Sequence, residues 1–380
     1  MTASEVVRVE DDASHANQLE PAGLVRAFAL HPPAGFVAQE MAPGTPGFIA
    51  PFDLLTTADP ALKARIARLP GSRVWSAWLR IRTAFVGTTV SEYLLAPAKQ
   101  MHAAEWVRTI MNGPASKQRL LIVKDIPDDS PLLDAAERAH AAALTSACRD
   151  AGMVMVEGQA LAYVPIDFDS TDTYLARLSS SRRKNLRRKL RSREDLQIST
   201  VRTGDAQFND SAVIDQYYAR YLEVYAQSEL HFDQLSRPFF EAILQDGDNG
   251  GVVFEYRHDG LLIGFNLCFE YGGNLVDKYV GFTYPQARDH NLYFVSWMVN
   301  LEYALAHGCR FYVAGWTDPE VKASLGAQFT FTRHAVLPRN RLLRVLTKRF
   351  ASHFESDRAW RDAREAAGKE TAGKSTVESA

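Results

Sequence analysis

Residues 182 to 193, RRKNLRRKLRSR, hold eight bases and no acid. A stripe this dense can clamp a phosphate or carboxylate, with Arg182, Arg183 and Arg187 as the clamp. It can equally be a solvated basic helix. In helical register from Asp172, Leu175, Leu178, Leu186 and Leu190 form one apolar stripe, and Ser179, Arg182 and Lys189 fall on it. A charge there must reach water or an anion. A second set of polar residues lies in the stretch 261–284. If Gly272-Gly273 is a two-residue turn, Asn266 lies opposite Tyr279 and Cys268 opposite Asp277. Asn266, Glu270, Asp277 and Tyr279 then share one face, with Lys278 on the other. Asp277 is the candidate general base, Tyr279 an oxyanion donor, and Asn266 and Glu270 substrate contacts. An ordinary solvent-facing side fits the same pattern.

Three further segments carry chemistry. Trp316 and the run Asp318 to Lys322 follow a short apolar strand, and loops at strand ends are where α/β sites lie. Trp316 is a candidate substrate contact. Lys322 offers a positive charge to an oxyanion or phosphate, or is a surface lysine. His290 and Asn291 open an apolar helix whose free N–H groups suit an anionic cofactor; Asn291 serves as well as a plain N-cap. His334, inside a strand pattern, reads as a structural histidine. No His, Cys, Asp or Glu spacing fits a metal, so none is expected. There is no G-x-S-x-G, no Walker loop and no dinucleotide fingerprint, which leaves a hydrolase triad or a nicotinamide enzyme unsupported.

The elements that must position these residues have clear signals. Residues 252 to 284 contain three apolar runs divided by Asp259-Gly260 and Gly272-Gly273, a three-stranded antiparallel meander. A helix over 291–307 is apolar almost all round and stops at Gly308. Short strands follow at 309–315 and 328–337. An amphipathic helix runs through Ile214, Tyr217, Tyr218, Tyr221, Val224 and Tyr225. The first half echoes this order. Val86-Gly87 precedes a helix and a strand at 120–124, as Val280-Gly281 precedes a helix and a strand at 311–313.

The 380 residues, 46% hydrophobic and 23% charged, are an ordinary globular mix. Net charge is −2, so the stripe leaves the remaining chain distinctly acidic. That contrast suits a local anion site rather than a DNA-binding surface. No apolar run is long enough for a membrane span. The three cysteines are far apart and sit in apolar stretches, which points to reduced thiols and the cytoplasm. Residues 1–20 read as a flexible acidic arm and 351–380 as a helix end with a disordered tail. The basic run after Pro338 is a packing helix or a weak membrane-surface contact.

Several segments resemble the GNAT acyltransferase fold, in particular its FemAB-like branch with two tandem lobes. They are TYLARLSSSRRKNLRRKLR, IGFNLCFEYGGNLVDKYVGFTY, LYFVSWMVNLEYALAHGCRFYVAG and EVKASLGAQFTFTRHAVL. The resemblance covers roughly residues 160 to 345 and implies an α/β (α+β) fold of two GNAT-like lobes, residues 21–164 and 165–350. Each lobe is then a mixed, mainly antiparallel sheet flanked by helices. It implies an N-acyltransferase acting on the amine of a small molecule or cell-envelope precursor, with acyl-CoA as donor. It places Lys322 and Gly326 on the family's lysine-glycine segment, and Arg182, Arg183 and Arg187 on its basic helix. CoA-dependent members carry glycines before the buried helix, where this chain has Gln286-Ala287-Arg288-Asp289-His290-Asn291. An aminoacyl-tRNA donor, or a non-catalytic binding role, therefore stands beside the CoA expectation.

Overall fold

The computed structural model describes residues 15–53, 68, 80–97, 102–228, 232–340 and 344. The first half contains α1 (Ala22–Leu30), β1 (Val37–Ala42), β2 (Thr45–Asp53), β3 (Arg80–Val86), α2 (Ala103–Asn112), β4 (Leu120–Pro127), α3 (Ala135–Asp150) and β5 (Val154–Pro165). A connecting region follows, with α4 (Thr171–Ala176), α5 (Ser180–Leu190), β6 (Gln197–Arg202), α6 (Ser211–Gln227) and α7 (Arg237–Gln245). The second half is β7 (Gly251–His258), β8 (Leu261–Tyr271), β9 (Asn274–Phe282), α8 (Gln286–Asp289), α9 (Leu292–Ala306), β10 (Phe311–Gly315), α10 (Pro319–Ser324) and β11 (Gln328–Pro338).

Both halves repeat one plan. Three antiparallel strands lead to a helix and then to a strand parallel to the third: β3 with β4, and β9 with β10. The two sheets are fused, however. Strand order is β1-β2-β3-β4-β11-β5-β10-β9-β8-β7-β6. Each half sends its last strand into the other. β11 pairs antiparallel with β4 and β5 with β10, and the two exchanged strands pair with each other. The two halves are thus locked together by backbone hydrogen bonds.

The local signals explain the second half. Asp259-Gly260 and Gly272-Gly273 all take positive φ, as the tight hairpins require. The α9 helix has no polar stripe because both its faces are covered, and Leu292, Val295, Trp297, Met298 and Leu301 are all buried. They pack on Tyr256, Cys268, Leu275 and Tyr312 of the sheet. The opposite sheet face, with Phe265, Leu267 and Phe269, packs on α6 and α7 and continues into Phe28, Phe48 and Phe85 of the first half. Gly281 sits where that layer is tightest: a Cβ there would lie 2.2 Å from the Phe265 ring and 2.9 Å from Arg220 Cβ. Gly281→Ala is expected to cost about 1–3 kcal/mol through overpacking, read as a lower urea midpoint.

Three expectations need correction. The basic stretch is two helices, not one. The Ser179 side chain caps α5 by accepting from the Arg182 N–H at 3.5 Å. The break resets the helical phase, so Arg182 is exposed and Lys189 rests 3.2 Å over the Phe294 ring. Residues 15–20 are not a free arm: Asn17, Leu19 and Glu20 are all buried. Asn291 holds the N-cap position of α9 in the left-handed region, and its side chain makes no capping bond. The expectations for residues 1–14 and 351–380, and for most of the basic run after Pro338, lie outside the described residues.

Candidate active site

β9 and β10 pair only over Asn274–Val276 and Phe311–Val313, then part. A cavity of about 240 Å³ opens between them. One side is lined by Asn266, Asp277, Lys278, Tyr279 and Tyr312 of the sheet. α9 contributes Tyr293, Ser296 and Trp297, and the segment after β10 contributes Trp316 and Lys322. Thr89, Ser91 and Glu92 enter from the first half, on the loop after β3.

The β9 register is set by a bulge. Cys268 faces Asp277 as expected, but Leu267 faces Tyr279 and Asn266 faces Val280. Lys278 is the extra residue, and it turns Tyr279 away from the Asn266 face. Tyr279 instead packs edge-on against Phe239 and Phe240. Tyr279 is among the residues lining the cavity, and its hydroxyl is buried with no hydrogen-bond partner among the described residues.

Asp277 is enclosed by donors. Its carboxylate accepts from Asn266 Nδ2 (3.2 and 3.1 Å), Asn300 Nδ2 (2.9 Å) and the Tyr312 hydroxyl (3.0 Å). Burial pushes its carboxyl above the usual range, opposed by the Asn266 and Tyr312 bonds and by Lys322. Behind it, the Trp297 indole donates to the Tyr174 hydroxyl at 3.0 Å and meets Tyr312 edge-on at 5.2 Å. This network fixes the cavity floor.

Lys322 is not a surface lysine. It is 5% exposed, on the single turn of α10 that begins at Asp318 and Pro319. Among the described residues no hydrogen bond or ion pair holds its ammonium. Burial draws its pKa down to about 8, against the raising fields of Asp277, Asp318 and Glu92.

Opposite stands a buried ion cluster. Lys278 Nζ donates to Glu20 Oε1 at 3.2 Å and, more closely, to Glu92 Oε1. Glu20 Oε1 also accepts from the Glu92 backbone N–H at 2.6 Å. Burial alone would lower the Lys278 pKa, but Glu92 and Glu20 hold it above the usual lysine range.

Of the residues singled out in the sequence, the structure brings Asn266, Asp277, Tyr279, Trp316 and Lys322 to one cavity. Glu270 is not among its lining; it accepts from the Tyr303 hydroxyl and pairs with Arg202 at 2.9 Å. Gly326 also lies outside it, closing the turn after α10 against Leu178 and Tyr174. Arg183 donates to Ala176 O at 3.3 Å and Arg187 pairs with Asp172 at 3.1 Å, both on the protein surface. His290 and Asn291 stand beside that basic helix: Ser192 Oγ donates to His290 O at 2.6 Å. His334 is structural, accepting the Asp125 N–H on Nδ1 at 3.1 Å.

The sequence did not single out Glu20, Glu92, Asn300, Tyr293 or Tyr312. Asn300 carried a signal, as the lone amide in the apolar run LYFVSWMVNLEYALA. Glu92 carried another, as the acid before the apolar YLLAP. Nothing local joined Glu20 to either.

Residues 180–323 match the family model described as an acetyltransferase (GNAT) domain. No curated protein matches the chain. A solved structure from Agrobacterium fabrum, described as the C-terminal domain (DUF2156) of a lysylphosphatidylglycerol synthetase, is 15% identical with a TM-score of 0.52, covering 87% of this chain and 90% of that one. The L-PGS structure from Bacillus licheniformis is 8% identical with a TM-score of 0.50, over 88% and 97%. FemX is 11% identical with a TM-score of 0.52, over 89% and 96%. At these identities the likeness is one of fold.

Proposed function

We propose that this chain, whose residues 180–323 match a GNAT acetyltransferase domain and whose fold is like that of FemX, is a GNAT-type enzyme of the FemAB-like branch that transfers an activated acyl group to an amine in the cavity between β9 and β10. The observation that carries this reading is the buried Lys322 ammonium, which has no hydrogen-bond or ion-pair partner among the described residues and shares that cavity with Asp277 and Glu92. An acyl carbonyl beside Lys322 gains a cation where its oxygen becomes negative, in surroundings that exclude water. The acceptor nitrogen loses its proton to Glu92, whose Oε2 has no partner among the described residues. Asp277 is the poorer base, because its oxygens already serve three side chains; it positions Asn266 and Tyr312. The C–N bond forms, the C–S or C–O bond of the donor breaks, and the leaving thiolate or alkoxide takes up the proton that Glu92 accepted; an acceptor that arrives as an ammonium gives one further proton to solvent.

The donor carries phosphates in this reading. Exposed Arg182, Lys184, Arg187 and Arg188 lie along α5, and its C-terminal end is tied to the loop before α9 by the Ser192–His290 bond. Acyl-CoA is the first donor proposed, and the two lobes are proposed to divide near residue 165. The second reading, an aminoacyl-tRNA donor, is favoured by the loop 286–291. It has no glycine, forms the single turn α8 and places Asp289 where a phosphate would be repelled.

Thermal midpoints with CoA, acetyl-CoA and longer acyl-CoAs test the first reading. Ligand at 100 times Kd is expected to stabilise by about 2.7 kcal/mol. No shift with any of them overturns the CoA donor. For either donor, Arg182→Glu with Arg187→Glu is expected to weaken binding at least tenfold at low salt and to flatten its salt dependence. An unchanged salt slope removes α5 from the donor site.

A further inference from the structure

Glu20, Glu92 and Lys278 bring two carboxylates to one ammonium, with side chains only 3%, 3% and 5% exposed. Buried charges are stable when they are matched, and here one negative charge is left over. Oε2 of Glu20 and Oε2 of Glu92 are both buried, and neither has a hydrogen-bond partner among the described residues. Lys322 acts on Glu92 only as a field across the cavity. The other titratable groups near the cluster among the described residues are the phenols of Tyr93, Tyr271 and Tyr279, whose pKa burial raises, and Asp233, whose carboxyl burial also pushes up against the opposing field of Lys278.

We propose that this cluster is the ammonium subsite for the acceptor, seating a primary amine that is a cation at neutral pH against Glu92. The inference rests on the acyl-transfer reading and names the acceptor class: alkylammonium compounds rather than alcohols or amides. Glu92 lines the cavity and touches the incoming ammonium. Glu20 lies behind it, bonded to the Glu92 N–H and to Lys278, and acts as a positioning residue. The arriving cation balances the surplus charge.

The empty protein handles that surplus by protonation. Burial, with Glu92 adding to it and Lys278 opposing it, pushes the Glu20 carboxyl up to about 7. Its ordinary value is 4.5. Between those values the folded state holds a proton that the unfolded state has lost. Stability from this group is therefore full below 4.5 and declines as pH rises through 7.

The test uses the full chain without any donor. Thermal midpoints at pH 7.5 are measured with n-butylammonium chloride, with 1-butanol, and with sodium chloride at equal ionic strength. A saturable rise with butylammonium alone is expected, together with a response at least tenfold weaker in Glu92→Gln. That variant leaves Glu20 and Lys278 as a one-to-one pair, so its empty midpoint is expected to rise. Glu20→Gln leaves Glu92 and Lys278 as a one-to-one pair, so it is expected to weaken the butylammonium response less than Glu92→Gln does, because Glu92 remains, and to flatten the decline of midpoint between pH 4.5 and 7. Equal shifts with all three additives overturn the proposal, as does a full response in Glu92→Gln. If Glu92→Gln does not fold, the wild-type additive comparison and Glu20→Gln decide. Because no donor is present, a failed acyl-CoA experiment leaves this result standing, and butylammonium binding without turnover would sink only the transfer reading.

Discussion

Lys322→Met is expected to abolish transfer while making the protein more stable. The two effects have one cause. In the folded protein burial holds the Lys322 pKa near 8, against an ordinary value of 10.5. At pH 7 the folded state therefore carries a poorly solvated charge that the unfolded chain solvates freely, a cost of about 3 kcal/mol at roughly 1.4 kcal/mol per pH unit. Methionine fills a similar volume without that cost. The sign is checked by pH. Between 8 and 10.5 the unfolded state binds the proton that the folded state has released, so wild-type stability rises across that window. In Lys322→Met the rise is expected to vanish. Turnover, measured as acylated product, is expected to fall by about 100-fold or more, the usual cost of losing one donor to a developing oxyanion. In the wild type it is expected to decline above pH 8, as the ammonium is lost. A variant that is less stable than wild type, or that keeps full turnover, removes Lys322 from the role proposed for it.

Asp277→Ala is expected to act in the opposite direction. The substitution removes the common acceptor of Asn266, Asn300 and Tyr312, all buried. It also removes a negative charge that faces Lys322. Breaking such a buried network from one side costs about 3–5 kcal/mol. Chemical denaturation is expected to show that loss, with Asp277→Asn losing clearly less because its amide oxygen still accepts. If Asp277 were instead the amine's base, Asp277→Asn would keep most of the stability and lose nearly all turnover. Retained turnover in Asp277→Asn, paired with lost turnover in Glu92→Gln, is the outcome expected from the geometry.

These two residues also mark how far the sequence could be followed. Asp277 and Lys322 were both visible as charges in otherwise apolar strand and strand-end patterns. Their surroundings were not. The expected meander, its two hairpin turns, α9 with its stop at Gly308, and the strands at both ends of the second half all formed where local signals placed them. Asp-Gly and Gly-Gly turns depend on backbone conformations available within four residues, and an apolar helix shows itself in its own sequence. The face of Tyr279 was lost to a single inserted residue, since one bulge at Lys278 reverses every side chain beyond it. The basic helix was lost to a cap, since Ser179 bonding to the Arg182 N–H restarts the helical phase.

What the sequence determined by itself was therefore the run of elements from α6 through β11 apart from α7 and the short helical turns, and the echo of β3, α2 and β4 in the first half that Val86-Gly87 and Val280-Gly281 announce. Periodicity and turn chemistry act over a few residues and can be seen there. The tertiary structure alone decided the exchange of β5 and β11, because pairing between distant strands depends on which edges are left open once each half has formed. It alone decided the charge balance of the cavity. Lys278 meets Glu92 from 186 positions away and Glu20 from 258. A charge's worth is set by its neighbours and its distance from water, and only the folded chain supplies both.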